Sequence, residues 1–567
     1  MDCERTVRKT NLQAHSTSEL FREGYVFVER PAGRISRSTP CPAKFSDCSV
    51  ATFFHPHVSR SLLAFDRKRV EPAIPGLSPL ETALLAITAT HLCFLPWALG
   101  SMHRWSQFVS LIFSLAGFIV SIMPRTGPTD RGYSPSTRLR RFPVLWAGLL
   151  FLLYIAVQAL NPSWQYVSDT DSWWLEPVAH IAWLPSGMQV PFAQSSPWSA
   201  LIIFTSLWLL ICSVWTGLTR RRSYRILFTV LVANAFLLSM LGVLQQLTDA
   251  KRIFWSYLPS NSAFVASFIY RNHAGPYLNL MVSLAVGLGC WYYERSQRRQ
   301  EKSSPAAVLA FLAMFIAIMV VFSYSRASIG VLLAFSLFML CTLAAQRFLG
   351  KPGPSRKRMD MLILIVVFSG FLGLCLVSLR VEKVWHRFTN IATDPTNSTS
   401  TRTIARNASR DMLQDHWLLG WGAGCFRYGF PLYAQKYPEI YYSGQGKQRF
   451  WEHAHDDLLE FPIEYGLLGL LPLAFMLCSA GWQLVRRRFW TSAISICLVL
   501  SCALVACHSW VDFVFQSPAV LLTWCVLLVA AVRWVELDQP GSQRLVARLS
   551  RSGHGPTNNE NLTINYP

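Results

Sequence analysis

Long apolar segments recur along the chain and dominate its hydropathy pattern. Each is about 20 residues long, the length that an α-helix needs to cross the roughly 30 Å hydrocarbon core of a bilayer. Apolar residues occupy every side of each segment, whereas the strands of a membrane β-barrel alternate apolar and polar residues. We therefore predict an all-α, polytopic membrane protein with about twelve spans, near residues 78–99, 105–123, 143–160, 199–218, 226–247, 274–293, 306–323, 328–346, 360–379, 464–482, 490–508 and 517–534.

Basic residues gather in alternate links between these segments. They follow the second, fourth, sixth, eighth and tenth spans, for example at Arg220–Arg222 and Arg486–Arg488, whereas the link 161–198 after the third span has no Lys or Arg. Positively charged loops are retained on the cytoplasmic side of a membrane. The pattern therefore predicts that both termini and the even-numbered links are cytoplasmic and that the odd-numbered links face outward.

The composition agrees with a membrane protein. Hydrophobic residues make up 52% of the chain and charged residues 15%, well below the roughly 25% charged residues of soluble proteins. A net charge of +21 can indicate a nucleic-acid partner, but here the basic residues mark the ends of membrane helices, so no such partner is predicted. None of the 14 cysteines forms a CxxC pair, so neither a zinc ribbon nor a disulfide framework is indicated.

The spans and links divide the chain into five parts. We predict a cytoplasmic N-terminal tail, nine spans, a large outward loop, three spans and a cytoplasmic C-terminal tail, at residues 1–76, 77–379, 380–463, 464–535 and 536–567. Loops as long as the third part are uncommon and are usually functional. Within it, apolar residues at Ile404, Ala408 and Met412 have helical spacing and predict a short amphipathic helix, and three glycines between 420 and 424 predict a turn.

The end of this loop carries five titratable residues, His453, His455, Asp456, Asp457 and Glu460. Three interpretations of this cluster remain open. It can be the polar start of a membrane helix, where acidic side chains interact favourably with the helix dipole. A His-x-His pair with a carboxylate can also bind zinc. Finally, an imidazole oriented by a neighbouring carboxylate can act as a general base near neutral pH.

Charged residues also lie close to the apolar segments. Arg326 is part of Ser323–Ser328, which joins the seventh and eighth spans almost without a loop. A charged side chain inside a membrane costs about 2.5–3.5 kcal/mol on insertion scales unless it is paired or hydrated. Arg326 either reaches the headgroup region or binds an anion such as a phosphate. The Arg271–His273 tripeptide and the pair His508 and Asp512 are similar cases on the same predicted outward side.

Four motifs, in this order, resemble the O-antigen ligase and polymerase superfamily. They are RNHAGPYLNL from Arg271, SYSRASIG from Ser323, DHWLLGWGAGCF from Asp415 with Arg402 ahead of it, and HAHDDLLEFPIEYGLLG from His453. The predicted twelve spans and the single large loop late in the chain fit the same family. The resemblance covers roughly residues 80–535.

This resemblance implies a membrane glycosyltransferase with a helical fold related to the GT-C class. Members of the family take a glycan from undecaprenyl diphosphate at the periplasmic face of the bacterial inner membrane. They pass it to an acceptor hydroxyl on a lipid A core sugar, on another glycan or on a protein, in the biosynthesis of lipopolysaccharide and other surface polysaccharides. The family reaction uses neither a metal nor a nucleotide sugar, so no metal and no cofactor are expected.

The family motifs also imply roles for particular residues of this chain. His455 is expected to be the catalytic histidine. The acidic residues expected to act with it are Asp456 and Glu460. The arginines expected to bind the donor diphosphate are Arg326, Arg402 and Arg271. The residues expected to support both groups are Asn272, His273, Ser325, His453 and Asp457.

The sequence departs from the family pattern at a few positions. Asp456 stands where Asn usually follows the catalytic histidine, Ala327 and Ser328 stand where a Gly pair often follows the arginine, and Asn407 stands where an aromatic residue is common. The motifs do not distinguish a ligase from a polymerase or a protein O-oligosaccharyltransferase. The alternative from another class is a transporter or flippase for a polysaccharide precursor, which accounts for many spans but not for the His–Asp cluster of the large loop.

Overall fold

The computed structural model describes residues 76–125, 133–170, 172–192, 194–259, 263–301, 303–349, 398–442 and 450–538. Helices dominate these residues. In chain order they are α1 (Pro79–Trp97), α2 (Arg104–Ile122), α3 (Pro135–Arg140), α4 (Pro143–Leu160), α5 (Pro197–Gly217), α6 (Arg221–Leu247), α7 (Arg271–Arg299), α8 (Ala306–Phe322), α9 (Arg326–Leu349), α10 (Ser398–Asp415), α11 (Phe426–Ala434), α12 (Pro438–Tyr441), α13 (Asp457–Arg486), α14 (Ala493–His508) and α15 (Pro518–Glu536).

Most of the predicted spans coincide with these helices. Among the described residues, eight helices are long and apolar enough to cross a membrane, namely α1, α2, α4, α5, α6, α7, α13 and α15. The shorter apolar helices α8, α14 and the Arg326–Thr342 part of α9 also lie at predicted spans. The chain is therefore a mostly helical, multi-pass membrane protein. The predicted ninth span (360–379) and nearly all of the two predicted tails lie outside the described residues, so the count of twelve stays a prediction.

α7 is the central helix of the bundle. Every residue from Asn272 to Ala285 is buried, as expected for a helix that other helices surround on all sides. A Cβ atom on Gly275 would lie 2.0 Å from Oγ of Ser328, so this glycine allows α9 to begin directly against α7. The Asn279 amide also donates to the backbone carbonyl of Ser328, at 2.9 Å. The beginnings of α7 and α9 are thus held together at one end of the bundle.

The link between α4 and α5 forms a small sheet, which the all-α prediction did not include. Strand β1 (Pro162–Ser168) pairs antiparallel with β2 (Trp173–Pro177) and parallel with β3 (Gly187–Gln189), so the strand order is β2-β1-β3. Prolines and aromatic residues are frequent in this link, and both favour an extended backbone over a helix. Tryptophans outside the spans commonly form a belt at the membrane interface, but Trp164 packs against buried residues of the large loop, whereas Trp174 and Trp183 are exposed.

A second hydrophobic core, which we call the outer cluster, joins this sheet to the large loop. Its loop members come from α10, α11, α12 and the segments around them, and the sheet contributes Met188 with Trp164, Tyr166 and Leu175. The predicted amphipathic helix is present as α10, and the side chains of its apolar residues Ala408 and Met412 are fully buried there. The large loop therefore folds against the third link and has a core of its own.

Two glycines connect the loop to the beginning of α13. Gly420 has a φ of +75° and Gly466 a φ of +61°, values that side chains with a Cβ rarely adopt. A Cβ on Gly420 would lie 2.6 Å from the backbone nitrogen of Gly466, and a Cβ on Gly466 would lie 2.5 Å from that of Gly420. Gly466 also interrupts α13. Residues 457–465 therefore form a separate helical segment, which precedes the predicted span and packs against the loop at Gly420.

Candidate active site

His455 is paired with Asp512, a carboxylate 57 residues further along the chain. Nδ1 of His455 lies 3.2 Å from Oδ1 of Asp512, and the Asp512 side chain is only 3% exposed. His455 has a φ of +54°, a conformation that is uncommon outside Gly and Asn and that occurs frequently at functional sites. Because its Nδ1 is engaged, Nε2 is the ring nitrogen of His455 that can accept a proton from a substrate.

The ionisation of Asp512 follows from its neighbours. Burial by itself raises the pKa of this carboxyl group, but the hydrogen bond from His455 and the positive charge of Arg402 lower the pKa to about 2. Asp512 is therefore a carboxylate at any pH above roughly 4. A carboxylate in this position keeps a proton on Nδ1 of His455 and stabilises the imidazolium that forms when Nε2 takes up a second proton.

Two arginines of α10 contact the link between α14 and α15, the segment that carries Asp512. Arg402 and Arg406 are four residues apart and therefore share one face of the helix. Nη1 of Arg402 lies 3.9 Å from Oδ2 of Asp512 and donates to the carbonyl of Val511 at 3.1 Å. Nε of Arg406 lies 3.0 Å from Oδ2 of Asp456. Each arginine neutralises a buried carboxylate. The arginine side chains are themselves 33% and 26% exposed, so a substrate can still reach them.

Asp456, which follows the histidine in sequence, is paired with Arg406 and makes no side-chain hydrogen bond to His455 in the described residues. Burial raises the pKa of Asp456, and the charge of Arg406 opposes that rise. This ion pair accompanies the departure from the family's usual Asn at this position. The acid that follows His455 in sequence therefore pairs with an arginine, and the carboxylate that pairs with the histidine comes from Asp512.

A second histidine–carboxylate pair lies next to the first. Nδ1 of His453 is 2.7 Å from Oε1 of Glu460, and Oε2 of Glu460 accepts a hydrogen bond of 2.7 Å from the backbone of Ala454. The ring of Phe513 separates the two imidazoles, with ring centroids 4.4 Å from that of His453 and 4.8 Å from that of His455. Glu460 therefore fixes the bend of the loop and the orientation of His453, and has no direct contact with His455 in the described residues.

The beginning of α7 reaches the same link. The side-chain amide of Asn272 donates to Oδ2 of Asp512, and Nε2 of His273 lies 3.0 Å from the carbonyl of Phe513. The ring of Tyr270 stacks on Phe513, with centroids 5.1 Å apart. Of the expected supporting residues, Asn272 and His273 thus position the segment that holds the His455–Asp512 pair, and Arg271, half-buried, precedes them at the first position of α7.

Arg326 is the first residue of α9 and is half-buried. Among the described residues its guanidinium has neither a hydrogen-bond nor an ion-pair partner, in contrast to those of Arg402 and Arg406. Ser325, beside it, is buried and accepts a hydrogen bond of 3.0 Å from the hydroxyl of Ser328. No contact of Arg326 with His455 exists in the described part of the chain. The two are connected through α7, because Asn272 touches Asp512 and Gly275 touches Ser328.

Asp457 has a different role from the other acidic residues of the cluster. Its backbone N–H donates to the carbonyl of Ser509 at 2.8 Å, and its Oδ2 accepts from the N–H of Phe515 at 2.8 Å. Both bonds attach the beginning of α13 to the segment between α14 and α15. Asp457 therefore supports the link that carries Asp512.

The contacts of the histidines and carboxylates in the candidate site can be compared with those that a zinc site would need. In the described ranges, no group of three or more His, Cys, Asp or Glu side chains is arranged to hold a metal ion. His453 and His455 each use Nδ1 on a different carboxylate. The arrangement is that of two oriented imidazoles with arginines nearby.

Comparison with known proteins identifies the segment that contains much of this site. Residues 309–474 match the family model described as O-antigen ligase. The matched segment includes Arg326, Arg402, His453 and His455, whereas Asp512 and the beginning of α7 lie outside it. A comparison with curated protein sequences gives no significant match.

Proposed function

We propose a function on the premise that the chain belongs to the O-antigen ligase and polymerase superfamily, of which it is a multi-pass membrane enzyme. The proposed reaction is transfer of a glycan from an undecaprenyl diphosphate carrier to an acceptor hydroxyl, in surface polysaccharide biosynthesis. The observation that carries this proposal is the His455–Asp512 pair, with Nε2 of the histidine free and Arg402 beside the carboxylate. Such a pair is suited to accept the proton of a hydroxyl nucleophile.

In the proposed reaction the acceptor oxygen attacks the anomeric carbon of the donor sugar. The bond from that carbon to the diphosphate oxygen breaks, and its electron pair leaves with the polyprenyl diphosphate. Nε2 of His455 takes the proton of the acceptor hydroxyl, and Asp512 stabilises the resulting imidazolium. Asn272 and Arg402 hold Asp512 in place, so that the imidazole is oriented before the substrates bind.

The leaving diphosphate gains negative charge as the glycosidic bond breaks, and fixed cations lower the energy of that transition state. We propose Arg326 as its principal partner because no protein group neutralises this guanidinium in the described residues. Arg402 and Arg271 are proposed as further cations at the same end of the bundle. Arg402 is already engaged with Asp512, so its role combines orientation of the carboxylate with attraction of the donor.

We further propose that the protein lies in the bacterial inner membrane with both termini in the cytoplasm and the site facing the periplasm. The basic residues that follow alternate spans support this orientation. The residues of the site, at the ends of α7, α10, α13 and α14, all lie at the end of the bundle assigned to the periplasm. Proposed acceptors are a lipid A core sugar, another glycan or a protein hydroxyl.

The proposal is tested with purified protein in detergent, an undecaprenyl diphosphate-linked glycan and a hydroxyl acceptor. We expect transfer under these conditions, because the chemistry needs no separate compartments. We also expect the rate to be unchanged by excess chelator. A protein that only moves the lipid-linked precursor across a membrane would yield no new glycosidic bond in detergent, and a rate abolished by chelator would favour the zinc interpretation.

The charge of Asp512 provides a pH-dependent prediction. Because folding lowers the pKa of Asp512 to about 2, its contribution to stability is present above the unfolded pKa of about 4 and is lost as the pH falls toward 2. Asp512→Asn keeps the shape but removes the charge at every pH. We expect transfer to fall by roughly 10²–10⁴-fold. Since Asp512 does not titrate between pH 5 and 8, the loss in measured rate should be present throughout that range.

The matched control is Asp411→Asn, which removes a carboxylate that contacts Tyr437 and Lys436 instead of a histidine. We expect its rate to stay near that of the unmodified protein. A loss at pH 8 that disappears at pH 5, or an equal loss in both variants, would contradict the assigned role of Asp512.

A further inference from the structure

The sheet presents an aromatic face toward the large loop. In the β1–β2 pairing Tyr166 lies opposite Leu175 and Ser168 opposite Trp173, so Tyr166 and Trp173 project from the same side of the sheet. Their rings stack, with centroids 5.5 Å apart and an interplanar angle of 25°. Trp174, the next residue, projects from the opposite side, where its indole N–H donates to Glu176 at 2.8 Å.

Residues of the large loop complete this face. Tyr428 of α11 and Phe450 both meet the ring of Trp173 edge-on, at centroid distances of 6.4 and 6.2 Å. The Arg427 guanidinium lies over the Phe450 ring at 4.9 Å and forms an ion pair of 3.3 Å with Glu452. We call Tyr166, Trp173, Arg427, Tyr428 and Phe450 the aromatic patch.

The aromatic patch is partly exposed, although its member Tyr428 is buried. Phe450 is 46% exposed, Trp173 and Tyr166 are half-buried, and the Glu452 side chain is 61% exposed. Exposed clusters of large apolar side chains with a polar rim usually mark a binding surface. A tryptophan belt facing lipid would not be expected to carry an arginine–glutamate pair at its edge.

The aromatic patch is also continuous with the candidate active site. Phe450 is followed by Trp451, whose ring meets the imidazole of His455 edge-on at a centroid distance of 5.8 Å. The Trp451 indole N–H is fixed by the carbonyl of Ile440 at 3.1 Å. One rigid tryptophan thus separates the proposed catalytic histidine from the nearest ring of the patch.

We propose that the aromatic patch binds saccharide rings of the glycan that reacts at His455. The face of a pyranose ring carries C–H groups that pack against aromatic rings, while its hydroxyl groups project from the edge and need hydrogen-bond partners. Trp173, Tyr166 and Phe450 supply the apolar surface, and Arg427 with Glu452 supplies charged partners at the rim. This inference rests on the proposed function. The saccharide belongs either to the donor or to the acceptor, and both present the same chemistry.

The experiment compares Trp173→Ala with Trp174→Ala, which are adjacent tryptophans on opposite sides of one strand. Initial rates of transfer are measured with donors and acceptors whose glycans are either one sugar or several sugars long. We expect Trp173→Ala to raise the KM of the substrate whose glycan contacts the patch by about fivefold to tenfold, with little change in kcat. The increase should appear only with the longer glycan, and Trp174→Ala should stay within about twofold of the unmodified protein.

Phe450→Ala is the second variant, because Phe450 is the most exposed ring of the patch and its removal disturbs the sheet least. Calorimetric binding of a free oligosaccharide to each variant gives a readout that does not require transfer. Weaker binding to Trp173→Ala and Phe450→Ala than to Trp174→Ala supports the patch even if the protein transfers no glycan, in which case the proposed function alone fails. Equal binding and equal KM values in all variants, or a KM increase that persists with single-sugar substrates, would overturn the inference.

Discussion

Replacing His455 with alanine is expected to lower glycan transfer by on the order of 10²–10⁴-fold, the usual contribution of a general base. The variant loses the only group in the described residues that joins a free imidazole nitrogen to the Asp512 carboxylate. Donor binding should be retained, because the proposed diphosphate ligand Arg326 lies on α9 and does not touch His455. The rate with saturating donor and acceptor is therefore the quantity to measure, together with donor affinity.

His180→Ala is the matched control for this variant. His180 lies in the same link as the sheet and is exposed, and in the described residues its ring makes a hydrogen bond only with the carbonyl of Val178. Its replacement should leave the rate near that of the unmodified protein. Addition of imidazole should restore part of the activity of His455→Ala, since the His455 side chain is 22% exposed and its site is open to solvent. Transfer at the unmodified rate in His455→Ala would exclude His455 as the base.

Replacing Arg326 with alanine is expected to lower transfer by roughly 10²–10³-fold, the cost of removing one group that stabilises a charged transition state. Arg326→Lys keeps the charge but loses the planar fork that matches two phosphate oxygens, so an intermediate loss is expected. The KM of the lipid-linked donor should rise in both variants, whereas the KM of the acceptor should change little. Initial rates measured over a range of donor concentrations separate these effects.

The control for Arg326 is Arg410→Ala on α10. Arg410 is exposed, and in the part of the chain that the structure describes its guanidinium has a hydrogen bond only with Asn407. Its removal therefore tests whether any loss of positive charge at this end of the protein slows transfer. An arginine that merely extends to the headgroup region would be replaceable by lysine at no cost. Wild-type kinetics in Arg326→Lys and Arg326→Ala would therefore refute its role as a diphosphate ligand.

The membrane helices could be predicted from the sequence because a span requires about 20 apolar residues, a pattern that is local and one-dimensional. The same holds for α10, whose apolar positions repeat at helical spacing. The sheet was missed because its short strands contain aromatic residues and prolines in a pattern that an interface belt also shows. Contact with Tyr428 of the loop, more than 200 residues away, distinguishes the two.

The sequence predicted most residues of the candidate site, but it did not predict which carboxylate pairs with which histidine or arginine. The motif around His455 places Asp456 next to it, yet Asp456 contacts Arg406, and the carboxylate on His455 comes from Asp512. The sequence marked Asp512 only together with His508, as a charged residue close to an apolar segment, and did not predict that it pairs with His455. Its buried position and its contacts with Asn272 and Arg402 could not be read from spacing, because they join three separate segments.

The outer cluster has a consequence for the order of folding. Its members come from the sheet near residue 165 and from loop residues between 405 and 463, while Asp512 follows later still. Contacts between such distant segments form slowly and only after the intervening chain is in place. During synthesis the sheet is therefore expected to lack its partners from the loop until α10 to α13 have been made. The contacts of Asp512 with Arg402 and Asn272 can form only after all of these segments are present.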